Sequence, residues 1–262
     1  MRGIQQLLEL MARLRDQETG CEWDLKQDFY SLRSYTIEEA YEVVDAVQRG
    51  DIADLRDELG DLLLQVIFYS QIAKEDGLFD FDEVVTGLFD KLIRRHPHVF
   101  ENPAAYTDQE RAQVWEKVKA SERDAKTSEK SGRLDGIARS LPALIYASKI
   151  QQRAANAGFD WVETEPVIDK IHEELEEVKE AWRSGHQDAI EDEIGDLFFA
   201  IVNLARHTHV DAETALRRAT VKFSKRFQYI EDQLEKNAQV MEETALDELD
   251  HLWDEAKLRE LK

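Results

Sequence analysis

One pattern of acidic residues is written twice in this chain. "EEAYEVVDAVQRGDIADLRDELGDLL" begins at Glu38, and "EELEEVKEAWRSGHQDAIEDEIGDLF" begins at Glu173. A shift of 135 residues carries Glu38, Glu39 and Glu42 onto Glu173, Glu174 and Glu177. The same shift carries Gly50 onto Gly185, and DELGDL from Asp57 onto DEIGDL from Asp192. Farther along, a shift of 131 takes Lys91 and Arg95 to Lys222 and Arg226. Near the ends a shift of 138 takes VWEKVK, with Trp115 and Lys119, to LWDEAK, with Trp253 and Lys257. Matches of this kind mark a tandem duplication, so one unit's fold must serve for both.

That unit reads as helical. Apolar residues recur three and four apart, as in Leu7, Leu10, Met11 and Leu14, and again in Ile52, Leu55, Leu59, Leu62 and Val66. Alternating β-branched runs are almost absent, and 11 Gly and 4 Pro in 262 residues leave few helix breaks. The expected class is all-α, a repeat of two helical bundles. Between Ala120 and Gly136 only Leu134 is a large apolar residue, which marks a polar linker. The expected organisation is therefore residues 1–119, a linker at 120–136, and residues 137–262. Gly50 and Gly185 stand where the first acidic helix of each unit should stop. Asp51 and Asp188 are placed to open the next helix, and Thr164 to cap one whose first turn holds Glu165 and Pro166. Thr107 with Glu110 forms a capping-box pattern before the first tryptophan helix.

Charge narrows the function. Lys plus Arg total 34 against 56 Asp plus Glu, a formal net charge of −22. Such a chain has no general attraction for DNA, RNA or anionic lipid, and it repels polyphosphates unless cations reverse the sign locally. A single cysteine, Cys21, permits no internal disulfide. The N-terminal stretch is amphipathic rather than a signal peptide, and the apolar runs LLLQVIFYSQIA and LFFAIVNLA are too short and interrupted to span a bilayer. A cytoplasmic protein without nucleic-acid or membrane partners is expected.

The acids themselves point to a cation. Residues three or four apart share a helix face, so Glu39 with Glu42, Glu58 with Asp61, Glu174 with Glu177, and Glu193 with Asp196 form pairs. A short turn makes the two acidic helices antiparallel neighbours. Glu42 lies eight residues before Gly50 and Glu58 eight after, which sets the two pairs level. Four carboxylates gathered this way repel one another, and a hard divalent cation such as Mg²⁺ is the simplest remedy. A lone acidic helix is ordinarily a solvated face. Here Ala40 became Leu175, Tyr41 became Glu176 and Asp45 became Glu180, while Glu38, Glu39, Glu42, Glu58 and Asp61 kept their identity. A solvated face has no reason to hold Glu and Asp apart so strictly.

The basic pairs Lys91 with Arg95 and Lys222 with Arg226 would be an exposed stripe elsewhere. Beside acid clusters they suggest an anion held jointly by metal and side chains, phosphate above all. Trp115 and Trp253 are either core or a platform for a base, with Lys119 or Lys257 reaching phosphate. The halves also differ: Lys170 and Asn203 replace Tyr35 and Phe68, so the main activity is expected in the C-terminal half. A di-iron bundle needs Glu-x-x-His on two helices, and the only such spacing, Glu248 to His251, lies away from the acids. A non-enzymatic helical adaptor with a vestigial site is the alternative from another class.

The combination resembles the MazG family of all-α nucleoside triphosphate pyrophosphohydrolases, related to the dimeric all-α dUTPases. EExxE at Glu38–Glu42 with ExxD at Glu58–Asp61, repeated at Glu173–Glu177 and Glu193–Asp196, carries the likeness. GCEWDLKQDFYSL, KLIRRHPHVF and AGFDW extend it over nearly the full chain outside the linker. One departure is Glu22, where the opening motif usually has Pro before its Trp. The resemblance implies Mg²⁺-dependent hydrolysis of NTPs or dNTPs to the monophosphate and pyrophosphate, with broad base tolerance, by a homodimer that cleanses nucleotide pools. It implies metal ligation by Glu174, Glu177, Glu193 and Asp196, and nucleotide contacts from Lys170, Lys222, Arg226 and Trp253. Glu173 or Glu177 is expected to orient or deprotonate the attacking water.

Overall fold

The computed structural model describes residues 3–100 and 132–260, with Thr107, Val114, Val118 and Glu122 between them. Glu110, Trp115 and Lys119, and with them the expected capping box and first tryptophan helix, lie outside these residues, as does most of the linker. The contacts divide the chain into two compact units, Met1–Ala125 and Lys126–Lys262. Every regular element among the described residues is helical, and no strand occurs there. The chain is all-α.

The first unit holds α1 (Ile4–Leu14), a short α2 (Glu22–Leu25), α3 (Arg33–Arg49), α4 (Ile52–Glu75), α5 (Phe81–Arg95) and a short α6 (Pro97–Phe100). Its defining piece is the α3–α4 hairpin. Gly50 ends α3 in the left-handed region at φ +70°, which an L side chain adopts only with strain. Asp51 then caps α4, its carboxylate accepting from the amides of Ala53 and Asp54, each at 3.1 Å. The core beneath is Met11 from α1, Leu32, and Ile67, Phe68 and Ile72 from α4. Packing against it, α1 is held by a buried guanidinium. Arg15 donates to Glu75 at 2.8–3.1 Å and to the carbonyl of Gln27 at 3.1 Å, with its cation 5.4 Å from the centre of the Phe68 ring.

The second unit repeats the plan with α7 (Ala143–Asn156), α8 (Glu165–Ser184), α9 (Gln187–His207), α10 (Ala212–Lys236) and α11 (Leu246–Glu260). Gly185 ends α8 at φ +73° as Gly50 ends α3. The cap of α9 corrects the sequence expectation: His186 holds that position, and Asp188 falls inside the first turn. The constant shift of 135 takes Asp51 to His186, so the capping carboxylate was lost in the second copy. Thr164 does precede α8, with Pro166 in the first turn, but its side chain makes no cap hydrogen bond. Buried Val167, Val202, Ile230 and Leu234 form the interior of this unit. Helix α9 packs against α8 and α7, and α11 against α10. No helix among the described residues is long and apolar enough to cross a membrane.

Burial raises the Glu75 carboxyl, but hydrogen bonds from Arg15 and Gln71 lower it further and leave it below its ordinary value. Replacing Glu75 by Gln strands a guanidinium that is 7% exposed. The expected cost is about 2 kcal/mol, at the low end for a broken buried pair because Glu75 is itself partly solvated. A carboxylate with a depressed folded pKa stabilises above its unfolded value, and that contribution fades as pH falls through the folded one. Urea unfolding of wild type and E75Q should therefore differ at neutral pH and converge below about pH 4; an equal gap at both pH values contradicts the pairing.

Candidate active site

Each hairpin brings its acids together. On α3 and α4, oxygen atoms of Glu39, Glu58 and Asp61 lie within 4.8 Å of one another; on α8 and α9 those of Glu174, Glu177 and Glu193 do the same. Thus each site gathers three of its four expected carboxylates, but not the same three. Glu42 stays close enough to raise the pKa of its neighbours. Glu39 is held above its ordinary value by burial, by the charge of Asp61, and by Glu42 and Glu58. Glu58 is raised by burial and by the charges of Glu42, Asp54 and Asp61. In the second unit Asp196 stands outside the trio but shares a cavity wall with Glu174.

The second cluster also holds a cation of its own, Lys170. One turn before Glu174 on α8, its ammonium lies 2.7 Å from Glu174 Oε1 and 2.8 Å from Glu173 Oε1. The two carboxylates hold Lys170 well above the usual lysine range. Tyr35 occupies the matching position on α3 and brings no charge. Glu177 is raised by its hydrogen bond to Glu174, then by burial and the Glu174 and Glu193 charges, with Lys170 acting in the opposite direction.

Glu174 is the telling residue. It is 5% exposed, and with Oε1 on Lys170 its Oε2 is buried without a hydrogen-bond partner. A buried carboxylate oxygen left so is costly unless a cation completes it. Hard oxygen donors within mutual reach, one of them orphaned, fit a divalent metal. The group can hold one.

Beside it opens a cavity of about 630 Å³. Lys170, Glu174 and Asp196 line it together with Trp161, Phe159 and Phe199, and with the amides of Gln151 and Asn203. Size and mixed lining suit a small organic ligand. Sequence reasoning marked Asn203 and the AGFDW stretch but gave no role to Gln151, Asp160 or Arg206. Asp160 binds Arg206 (Nη1 to Oδ2, 2.8 Å) and lies 3.1 Å from His207 Nε2. Burial raises its carboxyl and these partners lower it more, leaving it below the ordinary value. Lys222, Arg226, Trp253 and Lys257 line no part of this cavity. They form a separate group on α10 and α11, where Arg226 lies 5.3 Å from the Trp253 ring centre, Phe223 packs on that ring at 5.1 Å, and Lys257 pairs with Asp254 at 2.9 Å. Trp253 thus packs within its own helix pair.

The first unit carries aromatic rings at the corresponding positions. Trp23 meets Tyr35 edge-on at 6.0 Å and Phe68 at 6.4 Å, and these two rings stand where the second unit has Lys170 and Asn203. Arg95, the counterpart of Arg226, donates to Glu122 at 2.6 and 3.0 Å, and with Arg94 it draws that carboxyl down to about 2.

The model of the MazG nucleotide pyrophosphohydrolase domain matches the chain twice, over residues 27–100 and 163–230, and each match contains one acid hairpin. The chain belongs to the MazG family. A nucleoside triphosphate pyrophosphohydrolase of Escherichia coli K12 is 47% identical over all of this chain and 99% of its own length. A second MazG relative, the nucleoside triphosphate pyrophosphohydrolase/pyrophosphatase of Thermotoga maritima, is 45% identical over 97% of this chain and 95% of its own. Full-length agreement makes this MazG chain a hydrolase. Gln151, Phe159 and Trp161 fall outside both matched segments.

The raised carboxyls give a sign to metal linkage. For Glu39, Glu58 and Glu177 the stability contribution is full below their unfolded value, about 4.3, and is lost as pH rises through the raised folded values. A divalent cation removes that loss. The cation-induced rise in melting temperature should accordingly grow from about pH 5 to pH 8; a rise that shrinks over that range contradicts ligation by these groups.

Proposed function

We propose that this chain hydrolyses nucleoside triphosphates, ribo- and deoxyribo- alike, to the monophosphate and pyrophosphate, with Mg²⁺ and with broad tolerance of the base. The proposed architecture is residues 1–119 and 137–262 as two domains joined by 120–136, acting as a cytoplasmic homodimer with the main activity in the C-terminal half. One observation carries the reading: Glu174, whose buried Oε2 has no hydrogen-bond partner, lines a nucleotide-sized cavity together with Lys170.

Glu174, Glu177, Glu193 and Asp196 would hold the cation. When bound, Mg²⁺ supplies the positive charge that a triphosphate requires and acidifies water. Lys170, already between Glu173 and Glu174, is positioned to exchange one carboxylate for a phosphate oxygen. Glu173 or Glu177 orients the attacking water and accepts its proton. Water adds in line at the α-phosphorus, the bond to the α–β bridging oxygen breaks, and pyrophosphate departs with that oxygen. Contacts from Lys222, Arg226, Trp253 and Lys257 rest on the family pattern alone. The packing of Trp23 on Tyr35 and Phe68, together with the Arg95–Glu122 pair, supports a first unit that binds nucleotide poorly.

Pyrophosphate release from mixed NTPs with Mg²⁺ tests the assignment. Glu193→Gln should fold and lose at least roughly 100-fold in kcat/KM, whereas Glu58→Gln should stay within about threefold of wild type. Equal losses from both would overturn the asymmetry, and full activity in E193Q would remove Glu193 from the chemistry.

A further inference from the structure

Besides the carboxylates, Lys170 and the Asp160-bound Arg206, the cavity lining holds two amide side chains. Gln151 on α7 is 6% exposed, and its Nε2 donates to the carbonyl of Phe199 at 2.7 Å. A carbonyl only accepts, so the amide cannot be turned over, and Gln151 Oε1 is left buried with no partner. Asn203 on α9 is also buried, and its Oδ1 accepts from Arg206 Nε at 3.1 Å and Nη2 at 2.8 Å. Arg206 only donates, and Asp160 holds it in place. The free end of Asn203 is therefore its NH₂, which makes no hydrogen bond among the described residues. Gln151 and Asn203 both line the cavity, and each amide has its polarity fixed by the protein, with an oxygen left unpartnered on one and an NH₂ on the other.

Such a pair is complementary to a planar edge that places an N–H beside an acceptor. Adenine and cytosine offer this with an amino group and a ring nitrogen, guanine and uracil with a ring N–H and a carbonyl oxygen. The aromatic rings of Trp161 and Phe199 in the same lining suit the faces of any base. Asn203 lies seven residues beyond Asp196 on α9, two turns along one face or roughly 10 Å. That separation matches the reach from the phosphates to the base of one nucleotide. In the first unit the Asn203 position is Phe68, which offers no donor.

We propose that Gln151 and Asn203 form the base-reading pair of the C-terminal half, with Asp160 and Arg206 as positioning residues that fix the Asn203 amide. This rests on the nucleotide reading above and adds to it a residue-level cause for broad base tolerance. All common bases satisfy the pair, and a base lacking the N–H does not. An unpaired Gln151 oxygen then penalises the misfit.

The test uses the full-length chain without metal and with nucleosides rather than triphosphates, read by calorimetric titration. Adenosine should bind at least about tenfold more tightly than purine riboside, which keeps the ring acceptor but lacks the amino group. Gln151→Leu should erase that preference while leaving purine riboside binding nearly unchanged. Asn203→Leu should weaken both nucleosides. Equal or undetectable binding of the two nucleosides by wild type overturns the proposal, as does an unchanged preference in folded Q151L. Should Q151L fail to fold, the wild-type comparison decides alone. Failure of the nucleotide reading shows separately, as absence of Mg²⁺-dependent pyrophosphate release from every NTP by wild type.

Discussion

Repulsion among carboxylates at the helical hairpins is the constraint around which each unit is arranged. Bringing Glu39, Glu58 and Asp61, or Glu174, Glu177 and Glu193, within 4.8 Å raises glutamate pKa values in both clusters and strands Glu174 Oε2. Nothing in the packing requires this. The left-handed glycines at 50 and 185 make a turn tight enough to set the acid pairs level, and the apolar faces of the same helices supply the stability that tolerates them. A scaffold with internal opposition of this kind is suited to a cation whose charge removes it.

The two copies have treated that opposition differently. In the second unit Lys170 neutralises part of the charge from within and leaves a cavity beside it, with amides and aromatic rings in its walls. In the first, Tyr35 and Phe68 take the places of Lys170 and Asn203, and Trp23 packs on both. Tyr35 and Phe68 thus put aromatic rings where the second unit has a lysine and an amide. The acids survive in the first unit although Lys170 and Asn203 have no polar counterpart there, which separates a capacity to hold cations from the polar groups proposed to hold a nucleotide.

Much of this was legible in the residues. Glycine at the helix ends, the eight-residue symmetry of Glu42 and Glu58 about Gly50, and the identity of acids kept through duplication are local signals, and local signals fix helices and hairpins. The cap of α9 was misread because Asp188 is a better capping residue than His186, and chain geometry outweighed that preference. The cavity was not legible, since Gln151, Trp161 and Asn203 come from α7, a loop and α9 and meet only through tertiary packing. The Asp160–Arg206–Asn203 chain is likewise invisible to spacing, because its first link spans 46 residues. Lys222, Arg226, Trp253 and Lys257 lie on α10 and α11 apart from the cavity lining, with Arg226 and Phe223 against the Trp253 ring and Lys257 paired with Asp254.

The most direct measurement is anomalous diffraction from crystals of this chain soaked in Mn²⁺, a hard divalent ion with the same preference for oxygen donors as Mg²⁺. A manganese peak within bonding distance of Glu174, with Glu177 and Glu193 turned toward it, is the expected result. An anomalous map empty there, with the three carboxylates facing solvent, would contradict the claim that these helices are built around a cation.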